Sequence, residues 1–465
     1  MADKINIVLL AAGKGTRLNL NMPKPLCPFM GRTLVDFVIN EVLDFCASEK
    51  LEAEIDLVVG HQKELIIDHV KQNYPGKNIG FIHQKEQLGT GHAVQVYLEQ
   101  KANAEKQNLT FIMCADTPLL KKSIFKEMYQ MFHSKNLKGI AASFQALNPT
   151  GYGRIVRSNQ GFSIVEEKDA TAEIKKIQEV NSALYLLSTS HIKENIFNLS
   201  SNNKANEFYL TDLFKPEFAV EPILFEDAGS FEGINNLADL EMVEGHARSR
   251  KIESLRAEGV RFVDASSVYI EQSVKIGKGS LIYPGVHLMG ETILGSNCII
   301  EPNCILKNSK LATEVKVLAG CYFEDVEVDS HCQIGPYARL RPGTLVAEEC
   351  KIGNFVETKK AKLDKGVKVS HLSYVGDAEI GANTNIGCGF ITCNYDGANK
   401  HLTKIGEDSF IGSDCQMIAP VQLGDRVYIG SGSTINKDVP DDGFAIARER
   451  QVTKPGMASR FLKKK

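Results

Sequence analysis

Short aliphatic runs alternate with segments of helical spacing through the N-terminal half of the chain. Ile5–Ala12, Asp56–Val59, Ile79–His83, Leu109–Cys114 and Ile140–Phe144 read as strands, and their alternation with helices predicts a mostly parallel α/β sheet. Asn148–Val165 predicts a loop followed by a hairpin, with Ser158-Asn159-Gln160-Gly161 as its turn, an insertion suited to the rim of a pocket. Further on, Leu237, Leu240, Val243, Ala247, Ile252 and Leu255 recur near helical spacing among many charges before Gly259. This predicts a connecting helical arm with a glycine stop.

After Gly259 the period changes to six: Ile270, Ile276, Ile282, Leu288, Leu294, Ile300 and Leu306. Neither a helix nor an ordinary strand has that period. The register slips and resumes at Ile334, Leu340, Val346 and Ile352, then at Leu363, Val369 and Val375, and again from Ile405 through Ile411, Met417, Leu423 and Ile429 to Ile435. Three hexads make one triangular coil, so the pattern predicts a left-handed parallel β-helix with the period-six residues inside and Gly or Asn at many corners. Two positions before the first aliphatic series stand Val268, Val274, Ser280, Val286, Thr292, Cys298 and Cys304, all small. Cys393-Asn394-Tyr395-Asp396-Gly397-Ala398-Asn399-Lys400 interrupts the hexads and must leave the prism as a loop; such loops are either tolerated insertions or carriers of function.

At 465 residues with 43% hydrophobic and 24% charged side chains, the chain can bury sizeable cores. The net charge of −3 provides no general field for nucleic acid or anionic lipid, so any anion needs a local site. Lys463, Lys464 and Lys465 read as a solvated terminus. No apolar run reaches the length of a membrane span, and Ile7–Ala12 is too short for a signal peptide. Eleven cysteines without a CxxC pair fit a reducing compartment, the cytoplasm, and small buried packing roles.

The chemistry begins at Leu9-Leu10-Ala11-Ala12-Gly13-Lys14-Gly15-Thr16-Arg17, a glycine-rich turn after the first strand whose backbone N–H groups could approach phosphate oxygens. It lacks the Gly-Lys-Ser/Thr of a Walker loop and the third glycine of a dinucleotide fingerprint. Pro23-Lys24 adds a second cation to Arg17; the pair suits a triphosphate and is equally compatible with an ordinary charged surface. Taken with Gln84, Glu86-Gln87-Leu88-Gly89-Thr90-Gly91-His92-Ala93, Asp116, Thr150-Gly151-Tyr152-Gly153-Arg154, Glu166, Asn181 and Gly233-Ile234-Asn235-Asn236, the half resembles the sugar-nucleotide pyrophosphorylases. With the β-helix attached, the whole chain resembles the bacterial family that combines N-acetylglucosamine-1-phosphate uridylyltransferase with glucosamine-1-phosphate acetyltransferase.

That resemblance implies a Rossmann-like nucleotidyltransferase over residues 1–236, an arm over 237–260 and a β-helix acetyltransferase over 261–465. It implies a UTP and UDP-N-acetylglucosamine site at Leu10, Ala11, Ala12, Gly13, Arg17 and Lys24, with Gln84, Gly89 and Thr90 on the uracil and Gly153, Glu166 and Asn181 on the sugar. Mg²⁺ would be held by Asp116 and Asn235. The family usually has Tyr-Gly-Asp where this chain has Cys114-Ala115-Asp116, a change expected to alter substrate contacts rather than metal binding.

In the β-helix, Arg341-Pro342-Gly343, Asn354 to Lys360, His371-Leu372-Ser373-Tyr374 and Cys393 to Gly397 carry the resemblance. It implies glucosamine 1-phosphate bound by Arg341, Lys359, Tyr374, Asn385 and Lys400, and His371 as general base. Glu357 is a candidate to orient the base or the amine, and Ser413 with nearby backbone N–H groups to stabilise the oxyanion. Acetyl-CoA would lie along Cys388, Asn394, Tyr395, Ser413, Ser431 and Arg448; Cys388 and Ser431 stand where the family usually has alanine. The resemblance also implies a homotrimer. The competing readings are a single-activity pyrophosphorylase with a structural β-helix, and a non-catalytic scaffold.

Overall fold

In the computed structural model, which describes residues 4–13, 15, 18, 20–101 and 108–462, strand β1 (Lys4–Ala11) is buried almost throughout and lies between two parallel neighbours. These are β2 (Glu52–Val59) and β4 (Leu109–Cys114); β3 (Ile79–His83) extends the sheet beyond β2. On the other side follow β8 (Glu179–Ser188), antiparallel to both β4 and β5 (Gly139–Gln145), and then β9 (Val220–Phe225), parallel to β5. The sheet order is β9-β5-β8-β4-β1-β2-β3. The expected hairpin is present as β6 (Arg154–Ser158) and β7 (Gly161–Val165), with Ser158 opposite Gly161.

Because successive strand residues face opposite sides, Ile5, Ile7 and Leu9 enter one core, with Val35, Val38 and Phe45 of α1 (Leu34–Glu49) and Phe125 of α4 (Lys122–Lys135). Val8 enters the other, with Ala93, Val94 and Tyr97 of α3 (Thr90–Gln100); the remaining helices of this half are α2 (Lys63–Asn73) and α5 (Thr189–Asn195). Helices on both faces leave the carboxyl ends of β1, β3 and β4 as the open edge where ligands bind in such sheets.

The chain divides into two units, Met1–Ala247 and Arg248–Lys465, and the division falls inside helix α6 (Leu237–Ala257). Gly259 follows in the left-handed region. Val243 and Ala247 pack in the first unit with Leu18, Phe29 and Met30; Ile252 and Leu255 join the core of the second.

That second unit is a left-handed parallel β-helix with three faces. Every period-six residue named above is at most 5% exposed, and the small residues from Val268 to Cys304 are buried beside them. Coils of 18 residues, such as Lys275 beside Ile293, tighten to 17 where Ile293 meets Lys310, which accounts for the first slip in the hexad pattern. Glu379 meets Lys404, a coil seven residues longer than 18, so the polar segment leaves the prism as expected. Asn297, Asn303, Asn308 and Asn383 take left-handed corners alongside several glycines.

Candidate functional sites

At the open edge of the first unit a cavity of about 430 Å³ is lined by Leu10, Ala11, Ala12, Gly13, Lys24, Gln84, Gly89, Thr90, Asp116 and Asn235 among others. Arg17 lies outside the described residues, as do Lys463, Lys464 and Lys465. Strand β1 delivers the glycine-rich turn, β3 delivers Gln84 and β4 delivers Asp116. Lys24 donates to Asp116 Oδ2 and reaches Asn235 Oδ1 at 3.4 Å. One ammonium thus joins the two oxygen donors expected to hold a divalent cation, and carboxylate and amide oxygens are what hard cations take. Buried Ala115 also lines the cavity and packs into the core behind it.

Gly89 precedes α3 at φ +112°, and a Cβ there would lie 2.6 Å from the Phe208 carbonyl oxygen. Only glycine permits this approach. The segment around Phe208 is tied down by Phe208 N–H to Leu88 O (2.8 Å), Gly91 N–H to Phe208 O (2.8 Å) and Leu210 N–H to Thr90 Oγ1 (3.2 Å). It brings Glu207 onto the cavity wall. Sequence reasoning missed this segment, which sits in a polar stretch with neither period nor motif.

Gly153, Glu166 and Asn181 come together beside this loop but do not line the cavity. The Asn181 N–H donates to Gly153 O at 2.9 Å, and a Cβ on Gly153 would lie 3.4 Å from Glu166 Oε2 and 3.6 Å from Asn181 Cβ. Thr211 Oγ1 donates to Glu166 Oε1 at 3.0 Å. Burial, then the nearby carboxylates of Asp212, Glu207 and Asp169, raise the Glu166 pKa despite that hydrogen bond. Arg154, 1% exposed, donates to Tyr152 O and pairs with Glu167 at 2.8 Å, clamping the two segments that carry Gly153 and Glu166.

In the β-helix the expected residues fall into three groups. At one corner, Asn354 and His371 are register partners on successive coils, with His371 Nδ1 2.9 Å from Asn354 Oδ1. The same corner continues through Cys388, whose carbonyl accepts from Asp414 N–H (2.7 Å), to Ser413, whose carbonyl accepts from Gly432 N–H (2.8 Å). The Ser413 N–H donates to Ser431 Oγ at 3.2 Å, and the Arg448 side chain passes Gly432. On the adjoining face stand Glu357, Lys359 and Tyr374, whose hydroxyl lies over Gly376. Asn385 lies in the ladder on the other side of the His371 corner.

At the far corner of the Tyr374 face, Arg341, Lys359 and Lys400 form a cation cluster. The Lys400 ammonium and then Arg341 push the Lys359 pKa down, offset in part by Asp377, as expected of cations gathered for an anion. Asn394 Nδ2 donates to Asp377 Oδ2, and the inserted loop closes through a bridge between Tyr395 and Lys400. The histidine's hydrogen-bond partner is Asn354, while Glu357 engages Arg341 at 2.8 Å. Asn354 could have been found from the repeat, since it stands one 17-residue coil before His371. Exposed Phe355 and Leu372, next in sequence to these two residues, both hold left-handed φ, a conformation that costs bulky side chains roughly 1–2 kcal/mol each.

Residues 7–177 match the family of MobA-like NTP transferase domains, and residues 273–308 and 402–437 match the bacterial transferase hexapeptide family of six repeats. The class is therefore a two-domain transferase, with an NTP-transferase unit preceding a hexapeptide-repeat unit. Over 470 residues the chain is 42% identical to the bifunctional protein GlmU of Geotalea uraniireducens, covering 100% of both chains. It is 38% identical to that of Pelobacter propionicus (99% of this chain, 100% of that one) and 40% identical to that of Listeria monocytogenes serotype 4b (97% of each). The chain belongs to the GlmU family.

Proposed function

We propose that this bifunctional enzyme makes UDP-N-acetylglucosamine in two steps, one in each unit. The hexapeptide-repeat unit transfers an acetyl group from acetyl-CoA to the amine of glucosamine 1-phosphate. The nucleotidyltransferase unit then transfers UMP from UTP to N-acetylglucosamine 1-phosphate, releasing pyrophosphate. The observation that carries the first site is the convergence of Lys24 on both Asp116 and Asn235.

On this reading Asp116 and Asn235 hold Mg²⁺, which when bound offsets the charge of the phosphates. Lys24, with Arg17, pairs with the triphosphate, and Leu10 to Gly13 bring backbone close to it. Gln84, Gly89 and Thr90 hold the uracil; Gly153, Glu166 and Asn181 hold the sugar. The sugar phosphate oxygen forms a bond to the α-phosphorus in line as the bond to pyrophosphate breaks, so positioning and charge neutralisation supply most of the acceleration.

In the β-helix unit Arg341, Lys359 and Lys400 take the phosphate of glucosamine 1-phosphate, with Tyr374 and Asn385 on the sugar. With Asn354 Oδ1 accepting from Nδ1–H of His371, Nε2 remains to receive the amine proton as the C–N bond forms and the thiolate leaves. Cys388, Asn394, Tyr395, Ser413, Ser431 and Arg448 line the acetyl-CoA path. Within one chain the base and the cation cluster occupy opposite corners of a face, with the strand residues from Tyr374 to Gly376 between them. This separation supports a homotrimer in which the inserted loop of one chain completes the site of another. Eleven unpaired thiols support a cytoplasmic setting.

The test is one reaction containing glucosamine 1-phosphate, acetyl-CoA, UTP and Mg²⁺, with free thiol and pyrophosphate followed separately. Both should appear, and a chelator should stop pyrophosphate while thiol release continues. No thiol, with pyrophosphate appearing only once N-acetylglucosamine 1-phosphate is supplied, would leave the β-helix a structural role.

A further inference from the structure

Asn181 sits in an irregular stretch of β8, where the register against β5 shifts between Asn181 and Tyr185 and Ala183 takes a left-handed φ of 60°. The side chain is 7% exposed and its amide orientation is settled by chemistry. The backbone N–H of Ala183, which can only donate, lies 3.2 Å from Oδ1. Nδ2 must then face the Tyr185 hydroxyl, 2.6 Å away. Tyr185 is itself only 4% exposed, and its ring is fixed against Phe214 at a centroid distance of 5.0 Å.

These bonds use one acceptor site of Oδ1 and one of the two N–H groups. What remains is one donor on Nδ2 and one acceptor on Oδ1. An acetamido group offers a carbonyl oxygen to that donor or an N–H to that acceptor, and because the two point in opposite directions in a trans amide, one of them pairs with Asn181. A hydroxyl at the same carbon can donate or accept but carries no carbonyl further from the ring. Rotated by half a turn, the Asn181 amide would present its donor and acceptor in the wrong places.

We propose that Tyr185 is a positioning residue that, together with the Ala183 N–H that fixes which way round the amide lies, holds the Asn181 amide in place to read an acetamido group, and so sets the selectivity of uridylyl transfer for acetylated sugar phosphate. This rests on the reading of Asn181 as a sugar-binding residue. A site built to pair with an amide discriminates against a substrate lacking it, because its buried polar groups are left unpaired.

The experiment compares Tyr185→Phe, Asn181→Ala and the wild-type full-length enzyme, measuring kcat and KM with N-acetylglucosamine 1-phosphate and with glucose 1-phosphate, and KM for UTP. Tyr185→Phe keeps the ring and removes only the hydroxyl. The preference in kcat/KM for the acetylated substrate should fall by about tenfold, the worth of one buried hydrogen bond. The loss should appear in KM for the acetylated sugar, with kcat, KM for UTP and acetyl transfer within about twofold of wild type. An unchanged preference in Tyr185→Phe overturns the proposal where Asn181→Ala lowers it. If neither variant changes it, the sugar-binding reading of Asn181 fails as well. A Tyr185→Phe variant impaired equally on both sugars and in KM for UTP assigns Tyr185 a purely structural role and also overturns the proposal.

Discussion

Single residues carry opposite demands at the two sites. Glu166 is held above the usual carboxylate range by burial and by three neighbouring acids, so its ionised form costs folding stability above the pH at which it titrates. Glu166→Gln should therefore melt at a higher temperature than wild type at pH 7. The gap should close as the pH falls toward about 4, where the glutamate is protonated in the unfolded chain as well. Calorimetry across that range checks this, and the same variant should bind the sugar phosphate more weakly. At the second site His371→Ala should lower acetyl transfer by about 10² to 10⁴. Part of the loss should return as the pH is raised, because the amine of glucosamine 1-phosphate then reacts already deprotonated; a flat pH response would remove His371 as the base.

Among the elements, the inserted loop makes the sharpest case. The pairing of Glu379 with Lys404 makes this coil seven residues longer than an 18-residue one, so deleting Asn394 to Lys400 should restore an ordinary coil. The variant should keep its circular dichroism and melting temperature within a few degrees while acetyl transfer falls to background. Loss of the fold would mean that the loop supports the prism. The loop and the prism were legible in the sequence because each coil repeats one inward position, and a break in that period has nowhere to go but out. Strands β8 and β9 were not. Asn181 and Ala183 break the alternation of β8 at its irregularity, and Pro222 in β9 reads as a breaker although an edge strand tolerates it. Likewise Lys24 and Asp116 were legible through their motifs, whereas Glu207 reaches its cavity only through long-range backbone pairing with the segment before α3.

The proposed trimer and the proposed independence of the two chemistries belong to the whole molecule. Protomers carrying His371→Ala, mixed after reversible dissociation with protomers lacking Asn394 to Lys400, should form some interfaces that hold every group. Acetyl transfer should rise above either parent; mixed trimers that stay at the parental floor would confine the loop to its own chain. On the proposed function one chain performs two successive transfers at separate sites, each built from residues of one unit of the fold. The most direct measurement places Asp116→Ala and His371→Ala side by side, following thiol and pyrophosphate from glucosamine 1-phosphate, acetyl-CoA and UTP. Asp116→Ala should release thiol at nearly the wild-type rate and no pyrophosphate. His371→Ala should release little of either until N-acetylglucosamine 1-phosphate is supplied, whereupon pyrophosphate should appear at the wild-type rate. Equal loss of both products in each folded variant, with no recovery on the acetylated substrate, would mean that the two transfers do not run at separate sites.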